Sequence, residues 1–255
     1  MSSTDDVSDV VDGRIRGAET ARRTLRLLEA LAAHQPVRLD DLAEAVGLNK
    51  STVYRLVRVL QEEGYTERLS QGGYQLGAAV TALAARTAMP AATLDAMRPA
   101  LQELAESTAE TVTVHRRVGD TAVLRLGVES EQHVLRQVVR VGETTPLTRG
   151  CAGLAILASL PDDDREGVIE RADGSEARER LGEAFVDGVA LSRGANHPGV
   201  LGIAVAVPPG DRTRGAALSV TVSGPESRWT KERALQHAGQ LRSCAARLAH
   251  LAPSA

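Results

Sequence analysis

The stretch Leu42-Ala-Glu-Ala-Val-Gly-Leu-Asn-Lys-Ser-Thr-Val-Tyr-Arg-Leu56 carries the pattern that determines the fold of the N-terminal region. Before Gly47 the apolar residues recur at helical spacing, which predicts a short helix. We expect this helix to begin at Asp40, whose side chain can accept hydrogen bonds from the free backbone N–H groups of the first turn. Gly47 is suited to end the helix, because glycine adopts left-handed backbone conformations without steric cost.

A longer amphipathic helix follows this turn. Its apolar residues have i, i+3, i+4 and i+7 spacing and therefore share one side. They are Val53, Leu56, Val57 and Leu60. The other side is polar and basic, with Lys50, Ser51, Thr52, Tyr54, Arg55 and Arg58. In a helix-turn-helix, the second helix presents such groups to base edges and phosphates while its apolar side packs on the domain core.

The flanking segments complete a winged helix-turn-helix. Upstream, an amphipathic helix runs from Thr20 and ends before Pro36. Downstream, residues 65–69 and 74–76 have strand patterns around Ser70-Gln-Gly-Gly73, which is typical of a β-hairpin. One helix with a basic outer face is common on soluble proteins. The ordered series of helices, glycine turn and hairpin is what indicates DNA binding.

The charge of the chain is unevenly distributed. The 255 residues carry a net charge of -3, so the whole chain lacks the basic composition of many nucleic-acid-binding proteins. Residues 1–13 hold four aspartates and no basic residue, which predicts a disordered acidic tail. Residues 14–76 instead hold ten basic and eight acidic residues. This small excess of positive charge coincides with the helix-turn-helix.

Several classes of protein are disfavoured by the sequence. There is no apolar run of about 18 residues and no basic, then apolar, leader, so we expect a cytoplasmic protein without a membrane partner. Cys151 and Cys244 lie far apart and form no zinc-binding or disulfide pattern. The histidines are scattered, and no phosphate-binding glycine motif or nucleophile elbow occurs. The sequence predicts neither an enzyme nor a cofactor.

The rest of the chain predicts an α+β domain with a mainly antiparallel sheet, joined to the first domain by an alanine-rich helix. Strands are expected at residues 111–118, 122–126, 134–141, 201–207 and 216–222. Helices are expected at residues 97–107, 153–160, within 161–185, and as one long helix over 229–251. The expected organisation is a tail at 1–13, a winged helix-turn-helix at 14–77, a linker helix at 78–93 and a second domain at 94–255.

The quoted stretch, together with Gly64-Tyr65 and Tyr74-Gln-Leu-Gly77, resembles the winged-helix domain of the isocitrate-lyase-regulator (IclR) family, and the resemblance covers nearly the whole chain. It implies a homodimer or homotetramer that binds palindromic double-stranded DNA operators, more often as a repressor. The base-reading candidates are then Ser51, Thr52, Tyr54 and Arg55. The phosphate-contacting candidates are Lys50, Arg58, Arg68 and Gln71.

The same resemblance implies that the second domain is GAF-like and binds a small-molecule effector between its sheet and the surrounding loops. Three segments match the pocket-forming ones of the family: Pro146–Gly153, Pro198–Ala204 and Leu218–Pro225. The effector-binding candidates are Gly150, Cys151, Ala152, Gly153, Arg193, Gly202, Thr221 and Ser223. The last two are two residues apart on a strand and so share one face. For Cys151, beside Arg149, a small buried filler is favoured over a reactive thiol.

The chain departs from the family at several pocket positions. Family members commonly have His at Thr148, Lys at Leu154, acidic residues around 193–195 and Cys or Ser at Gly202, where this chain leaves space for a larger side chain. These differences predict an effector unlike small keto-acids and aromatic acids, or a degenerate pocket. Two alternatives stay open: a ligand-independent developmental regulator with a vestigial pocket, and a small-molecule enzyme or receptor whose N-terminal domain only oligomerises.

Overall fold

The computed structural model of the chain describes residues 10–11, 14–15, 18–87, 89–133, 136–209 and 215–251. The chain divides into two compact units, residues 1–88 and 89–255, each of which is described separately below. The predicted acidic tail lies mostly outside the described residues. Each helix among the described residues is too short or too polar to span a lipid bilayer.

The first unit contains the predicted helices and hairpin. Its elements are β1 (Val10–Val11), β2 (Arg14–Ile15), α1 (Glu19–His34), α2 (Leu39–Val46), α3 (Lys50–Glu62), β3 (Thr66–Arg68), β4 (Tyr74–Leu76) and α4 (Ala78–Thr87). Strands β1 and β2 pair antiparallel. Helix α4 covers most of the predicted linker helix, and the chain from Ala91 onward already belongs to the next helix.

The three helices α1, α2 and α3 pack their apolar sides together. Leu27, Leu31, Leu42 and Val53 are fully buried there, and Val57 is 1% exposed. Removing each such side chain from water is favourable by roughly 1.5 to 3 kcal/mol, so this small cluster holds the orientation of α3. The apolar stripe predicted for α3 therefore faces the core.

The predicted cap at Asp40 is wrong. Helix α2 begins one residue earlier, at Leu39, and Arg38 occupies the N-cap without a side-chain capping bond. Asp40 consequently lies in the first turn, where its charge complements the helix dipole, and its carboxylate pairs with Lys50 at 2.6 Å. Gly47 does end the helix, in the left-handed conformation at φ 64°.

The hairpin β3–β4 forms the predicted wing, with Arg68 opposite Tyr74. Gly72 and Gly73 close its turn at φ values of 89° and 91°, which other residues rarely adopt. Tyr74 also exchanges both backbone hydrogen bonds with Val37 between α1 and α2. The wing is thereby attached to the helical part of the unit.

The second unit is an α+β domain. Its helices are α5 (Ala91–Thr108), α6 (Gly150–Ala158), α7 (Asp162–Arg171), α8 (Ser175–Glu183), α9 (Lys231–Gln236) and α10 (Ala238–Ala249). Its strands are β5 (Thr111–Val118), β6 (Thr121–Val128), β7 (Thr144–Pro146), β8 (Phe185–Val186), β9 (Val189–Arg193), β10 (Val200–Ala206) and β11 (Leu218–Pro225).

The seven strands form one sheet in the order β7-β6-β5-β11-β10-β9-β8, and every pairing is antiparallel. This confirms the predicted α+β class. Helices α5 and α10 cover one face, where Val112, Val114, Val220 and Val222 are fully buried. Helix α6 lies on the other face and packs against β10 and β9.

Two predicted elements of this unit are wrong. Residues 136–141 form no strand, because their hydrogen bonds go elsewhere: the Val139 amide donates to Glu129 Oε1 at 2.9 Å, and Thr111 Oγ1 donates to the Gln137 carbonyl at 2.7 Å. The C-terminal helix is not continuous. It breaks at His237, whose ring stacks on the buried Trp229 with ring centroids 5.5 Å apart.

Candidate functional sites

Helix α3 presents one exposed polar face, which we call the recognition face: Ser51, Tyr54, Arg55 and Arg58. These residues have i, i+3, i+4 and i+7 spacing, so they project on the side opposite the buried stripe. Thr52 flanks this face and is half-buried. Tyr54 is 45% exposed, so its phenol is accessible at the surface.

The N-terminus of α3 is fixed by a residue absent from the predicted site. Asn49 caps the helix: its Oδ1 accepts from the Thr52 amide at 2.8 Å and from Ser51 Oγ at 2.9 Å. Asn is among the strongest N-cap residues, and its place just before the polar face is the signal that could have identified it. The cap orients the Ser51 hydroxyl at the start of the recognition face.

The cations near this face differ in their partners. Lys50 pairs with Asp40, and Arg58 pairs with Glu62 at 3.2 Å. Hydrogen bonds to Tyr54 and Glu62 raise the pKa of Arg58 above its ordinary value. Arg55, by contrast, forms no ion pair with any residue that the structure describes. No described residue engages its guanidinium donors, so these can reach an external acceptor.

The wing supplies the two remaining candidates of the predicted DNA-binding set. Arg68 lies at the end of β3, and Gln71 lies in the turn between β3 and β4; both are exposed. The structure thus places six of the predicted residues on α3 and two on the hairpin. All eight belong to the first unit.

The second unit contains a cavity of about 80 Å³ on the α6 side of the sheet. Its lining residues are Thr113, His115, Leu124, Gln137, Val138, Glu143, Thr145, Cys151, Ala152, Ser192, Ala195, Asn196, His197, Val200, Gly202, Thr221 and Ser223. Five of the predicted effector-binding residues are among them: Cys151, Ala152, Gly202, Thr221 and Ser223. The other three, Gly150, Gly153 and Arg193, do not line it.

The cavity floor is polar because β11 alternates. Leu218, Val220 and Val222 enter the apolar core, so Ser219, Thr221 and Ser223 point to the opposite face. On the neighbouring strand β5, Thr113 lies opposite Thr221 and Thr111 lies opposite Ser223. We call these five residues the hydroxyl face: Thr111, Thr113, Ser219, Thr221 and Ser223.

Two polar atoms that line the cavity have no partner. Thr221 Oγ1 and His115 Nδ1 are buried, and neither forms a hydrogen bond in the described part of the molecule. Such atoms are rare in native proteins, because leaving one unsatisfied costs roughly 1 to 3 kcal/mol. Burial lowers the pKa of His115 to about 4, so its imidazole is neutral at physiological pH.

Cys151 fills space in this site rather than supplying a reactive thiol. Burial raises its pKa to about 11, and its backbone amide donates to Ser192 Oγ at 3.0 Å. A Cβ added at Gly202 would come within 2.8 Å of Cys151 Sγ. The prediction that Gly202 leaves space for a larger side chain is therefore wrong, because the Cys151 sulfur already occupies that space.

The three predicted residues outside the cavity have other surroundings. Gly153 allows close packing, since a Cβ there would lie 2.6 Å from the Pro146 carbonyl oxygen. Gly150 adopts φ 68° at the start of α6. Arg193 pairs with Glu226 at 3.3 Å, and Arg193 and Gly150 both line a neighbouring pocket of about 720 Å³ that shares Ser192 and Ala195 with the cavity. All three lie close in sequence to cavity residues without lining the cavity.

Several cavity residues were missing from the predicted set, among them Thr113, His115, Gln137, Glu143, Ser192, Asn196 and His197. The alternation of β5 could have identified the first two, because they are two residues apart on a predicted strand. Glu143 and His197 form a pair at 3.3 Å that joins two loops far apart in sequence. Within the described residues, no group of three or more His, Cys, Asp or Glu could hold a metal ion.

These features coincide with matches to known proteins. Residues 20–70 match the IclR helix-turn-helix domain, and residues 91–250 match the domain described as bacterial transcriptional regulator IclR C-terminal. The chain is 33% identical over 224 residues to the HTH-type transcriptional regulator Rv1719 of Mycobacterium tuberculosis, covering 83% of this chain and 85% of that protein.

Solved structures agree with this assignment. An IclR transcriptional regulator from Silicibacter sp. TM1040 has a TM-score of 0.67 and 27% identity, over 91% of this chain and 95% of that one. An IclR homologue from Microbacterium hydrocarbonoxydans, complexed with 4-hydroxybenzoate, shares the fold with a TM-score of 0.66 at 19% identity, over 91% of this chain and 98% of that one. The chain therefore belongs to the IclR family of transcriptional regulators, with an N-terminal helix-turn-helix domain and a C-terminal effector domain.

Proposed function

We propose that the protein is a cytoplasmic repressor without enzymatic activity, which binds a palindromic operator as a homodimer or homotetramer. Ser51, Thr52, Tyr54 and Arg55 read base edges, and Lys50, Arg58, Arg68 and Gln71 contact phosphates. A small molecule bound in the cavity changes the affinity of the protein for this operator. A relative in Escherichia coli, 24% identical over 229 residues, is named transcriptional repressor IclR, which supports this direction of control.

The observation that carries the DNA-binding part is the recognition face. An exposed helical side with hydroxyl, phenol and guanidinium donors, directly opposite a fully buried stripe, fits the major groove of B-DNA. In this proposal Arg55 donates two hydrogen bonds to a guanine, and a bidentate pair of this kind contributes roughly 1 to 3 kcal/mol of discrimination. The symmetric operator follows from the two-fold symmetry of a dimer with two such faces.

The observation that supports effector control is the cavity with its unpartnered Thr221 and His115 atoms. A ligand that satisfies them binds one conformation of the effector domain better than another and so shifts the population. A coupling free energy of roughly 1 to 3 kcal/mol between the cavity and the operator would suffice for regulation. The small volume of the cavity favours one alternative, a regulator whose pocket is vestigial.

The test is a gel shift with the DNA upstream of the protein's own gene, at two salt concentrations and with unrelated competitor DNA. We expect a retarded band that survives the competitor and is lost or weakened at least tenfold in Arg55→Ala. Arg98→Ala is the matched control, because Arg98 is an exposed helical arginine of the second unit. Equal binding by both variants would contradict the proposed role of the recognition face.

A further inference from the structure

We propose that the cavity of the effector domain binds a small uncharged molecule that carries both a hydrogen-bond donor and an acceptor, such as a short-chain amide or diol, and that it excludes carboxylates. This inference rests on the proposed effector control and specifies the class of ligand. Four features of the described residues support it: the charge of the lining, the state of the α6 N-terminus, the unpartnered polar atoms and the volume.

The charge of the lining disfavours an anion. No arginine or lysine is among the described residues that line the cavity, and Glu143 is the carboxylate among them. Arg193, the cation among the predicted effector-binding residues, pairs with Glu226. Arg149 donates its Nε hydrogen to the Ala195 carbonyl at 2.7 Å. A carboxylate placed here would lie beside the Glu143 carboxylate and would find no arginine or lysine among the described lining residues, which is unfavourable.

A helix N-terminus can attract anions, so the start of α6 needs separate consideration. Cys151 and Ala152 of its first turn line the cavity. The Cys151 amide, however, already donates to Ser192 Oγ, and the Cys151 thiol is a neutral group since burial keeps its pKa high. One amide of the first turn is thus already satisfied by a neutral hydroxyl.

The unpartnered atoms call for a ligand with mixed hydrogen-bonding groups. A threonine hydroxyl both donates and accepts, whereas a neutral imidazole has one donor nitrogen and one acceptor nitrogen. The Thr221 hydroxyl and the His115 ring therefore match an amide or a diol. Leu124, Val138 and Val200 line the same cavity and suit a short apolar body.

The volume limits the size of this ligand. An apolar cavity of roughly 150 Å³ accommodates benzene, and a water molecule occupies roughly 30 Å³ in the liquid. A cavity of about 80 Å³ therefore fits a molecule of ~3 to 5 non-hydrogen atoms without rearrangement. Aromatic acids are too large for it as well as wrongly charged.

The experiment compares probes of nearly equal size on the full-length protein at pH 7: propanamide, 1,2-propanediol, propanoate and propylamine. Thermal unfolding is followed as each concentration is raised. We expect at least one of the two uncharged probes to raise Tm with concentration, and neither charged probe to do so. A concentration-dependent rise with propanoate or propylamine would overturn the proposal, and so would the absence of any rise with both uncharged probes.

Two variants locate the binding. Thr221→Val removes the cavity hydroxyl at nearly constant shape and should weaken binding of the stabilising probe at least tenfold. Ser219→Ala is the matched control, because Ser219 lies on the same strand and face with an unpartnered buried hydroxyl but does not line the cavity. Equal loss in both variants would contradict binding in this cavity. If Thr221→Val fails to fold, the comparison of uncharged and charged probes on the unmodified protein still tests the proposal.

A gel shift in the presence of each probe separates this inference from the proposed function. Stabilisation by an uncharged probe without any change in DNA affinity would support the ligand class and contradict effector control. A carboxylate that binds and changes DNA affinity would support effector control and contradict the proposed ligand class.

Discussion

The recognition face of α3 and the hydroxyl face of the sheet are built alike and differ in their charge. Each is the polar side of an element whose other side is apolar, at helical spacing in one and at strand spacing in the other. Cations are tolerated on the exposed face, because water solvates them and neighbouring carboxylates can pair with them. On the buried face the side chains are hydroxyls, since an unpaired charge there would be destabilising. The first suits a polyanion and the second an uncharged ligand.

The largest effect should come from placing a charge on the buried face. We expect Thr221→Asp to lower the free energy of unfolding at pH 7 by about 3 to 5 kcal/mol relative to Thr221→Asn, which has nearly the same shape without the charge. Ser51→Asp on the exposed face should change it by less than about 1 kcal/mol. Urea denaturation measures both. If Thr221→Asp and Thr221→Asn were equally stable, the contrast between the two faces would be wrong.

The buried histidine should make stability depend on pH. The folded-state pKa of His115, about 4, lies below its ordinary value of 6.5. The unfolded chain therefore binds the proton first, so His115 supports full stability above pH 6.5 and loses it as the pH falls toward 4, by up to about 3 kcal/mol. Urea denaturation between pH 7.5 and 5 should show this decline. It should be smaller in His115→Asn and unchanged in His34→Gln, which alters an exposed histidine.

The salt dependence of DNA affinity should distinguish the proposed phosphate-contacting residues from the proposed base-reading residues. We expect Lys50→Gln to weaken binding to all DNA sequences alike and to reduce the slope of log affinity against log salt by about 0.9. Arg55→Gln should lose roughly 1 to 3 kcal/mol on the operator and much less on unrelated DNA. Fluorescence anisotropy at several salt concentrations gives both quantities. Equal losses on the two DNAs for Arg55→Gln would assign Arg55 to phosphate contact.

The smallest effect concerns the carboxylate that holds Lys50. Asp40 pairs with Lys50 in the free protein, and both side chains are more than half exposed. Asp40→Asn should raise non-specific DNA affinity only a few fold, because exposed ion pairs contribute roughly 0 to 1 kcal/mol. Asp95→Asn, an exposed carboxylate on α5, is the control. An equal rise in both variants would show a general charge effect rather than release of Lys50.

The sequence predicted the exposed face more completely than the buried one. The stripe of α3 depends on residues within a few turns of one helix, so its periodicity determines which side is buried. The prediction of Asp40 as the N-cap was wrong, because α2 begins directly after Arg38, whose backbone is extended. Even there, the error is one residue and leaves the recognition face unchanged.

The cavity depends on contacts between distant segments, which no local pattern specifies. Thr221 was predicted from its own strand, but its neighbour Thr113 comes from the pairing of β11 with β5. The contact between Cys151 and Gly202 likewise joins α6 to β10. Residues 136–141 have a strand pattern, yet the side chains of Glu129 and Thr111 take up hydrogen bonds that a neighbouring strand would otherwise make.

The most direct test of the central claim is photo-crosslinking from the recognition face. Cys151 and Cys244 are buried and their pKa values are raised to about 11, so a cysteine placed on the surface can be labelled selectively. Ser51→Cys carrying an azide photo-crosslinker should crosslink to operator DNA, and Glu29→Cys on α1 should do so much less. Crosslinking from position 29 with none from position 51 would contradict the assignment of α3 as the recognition helix.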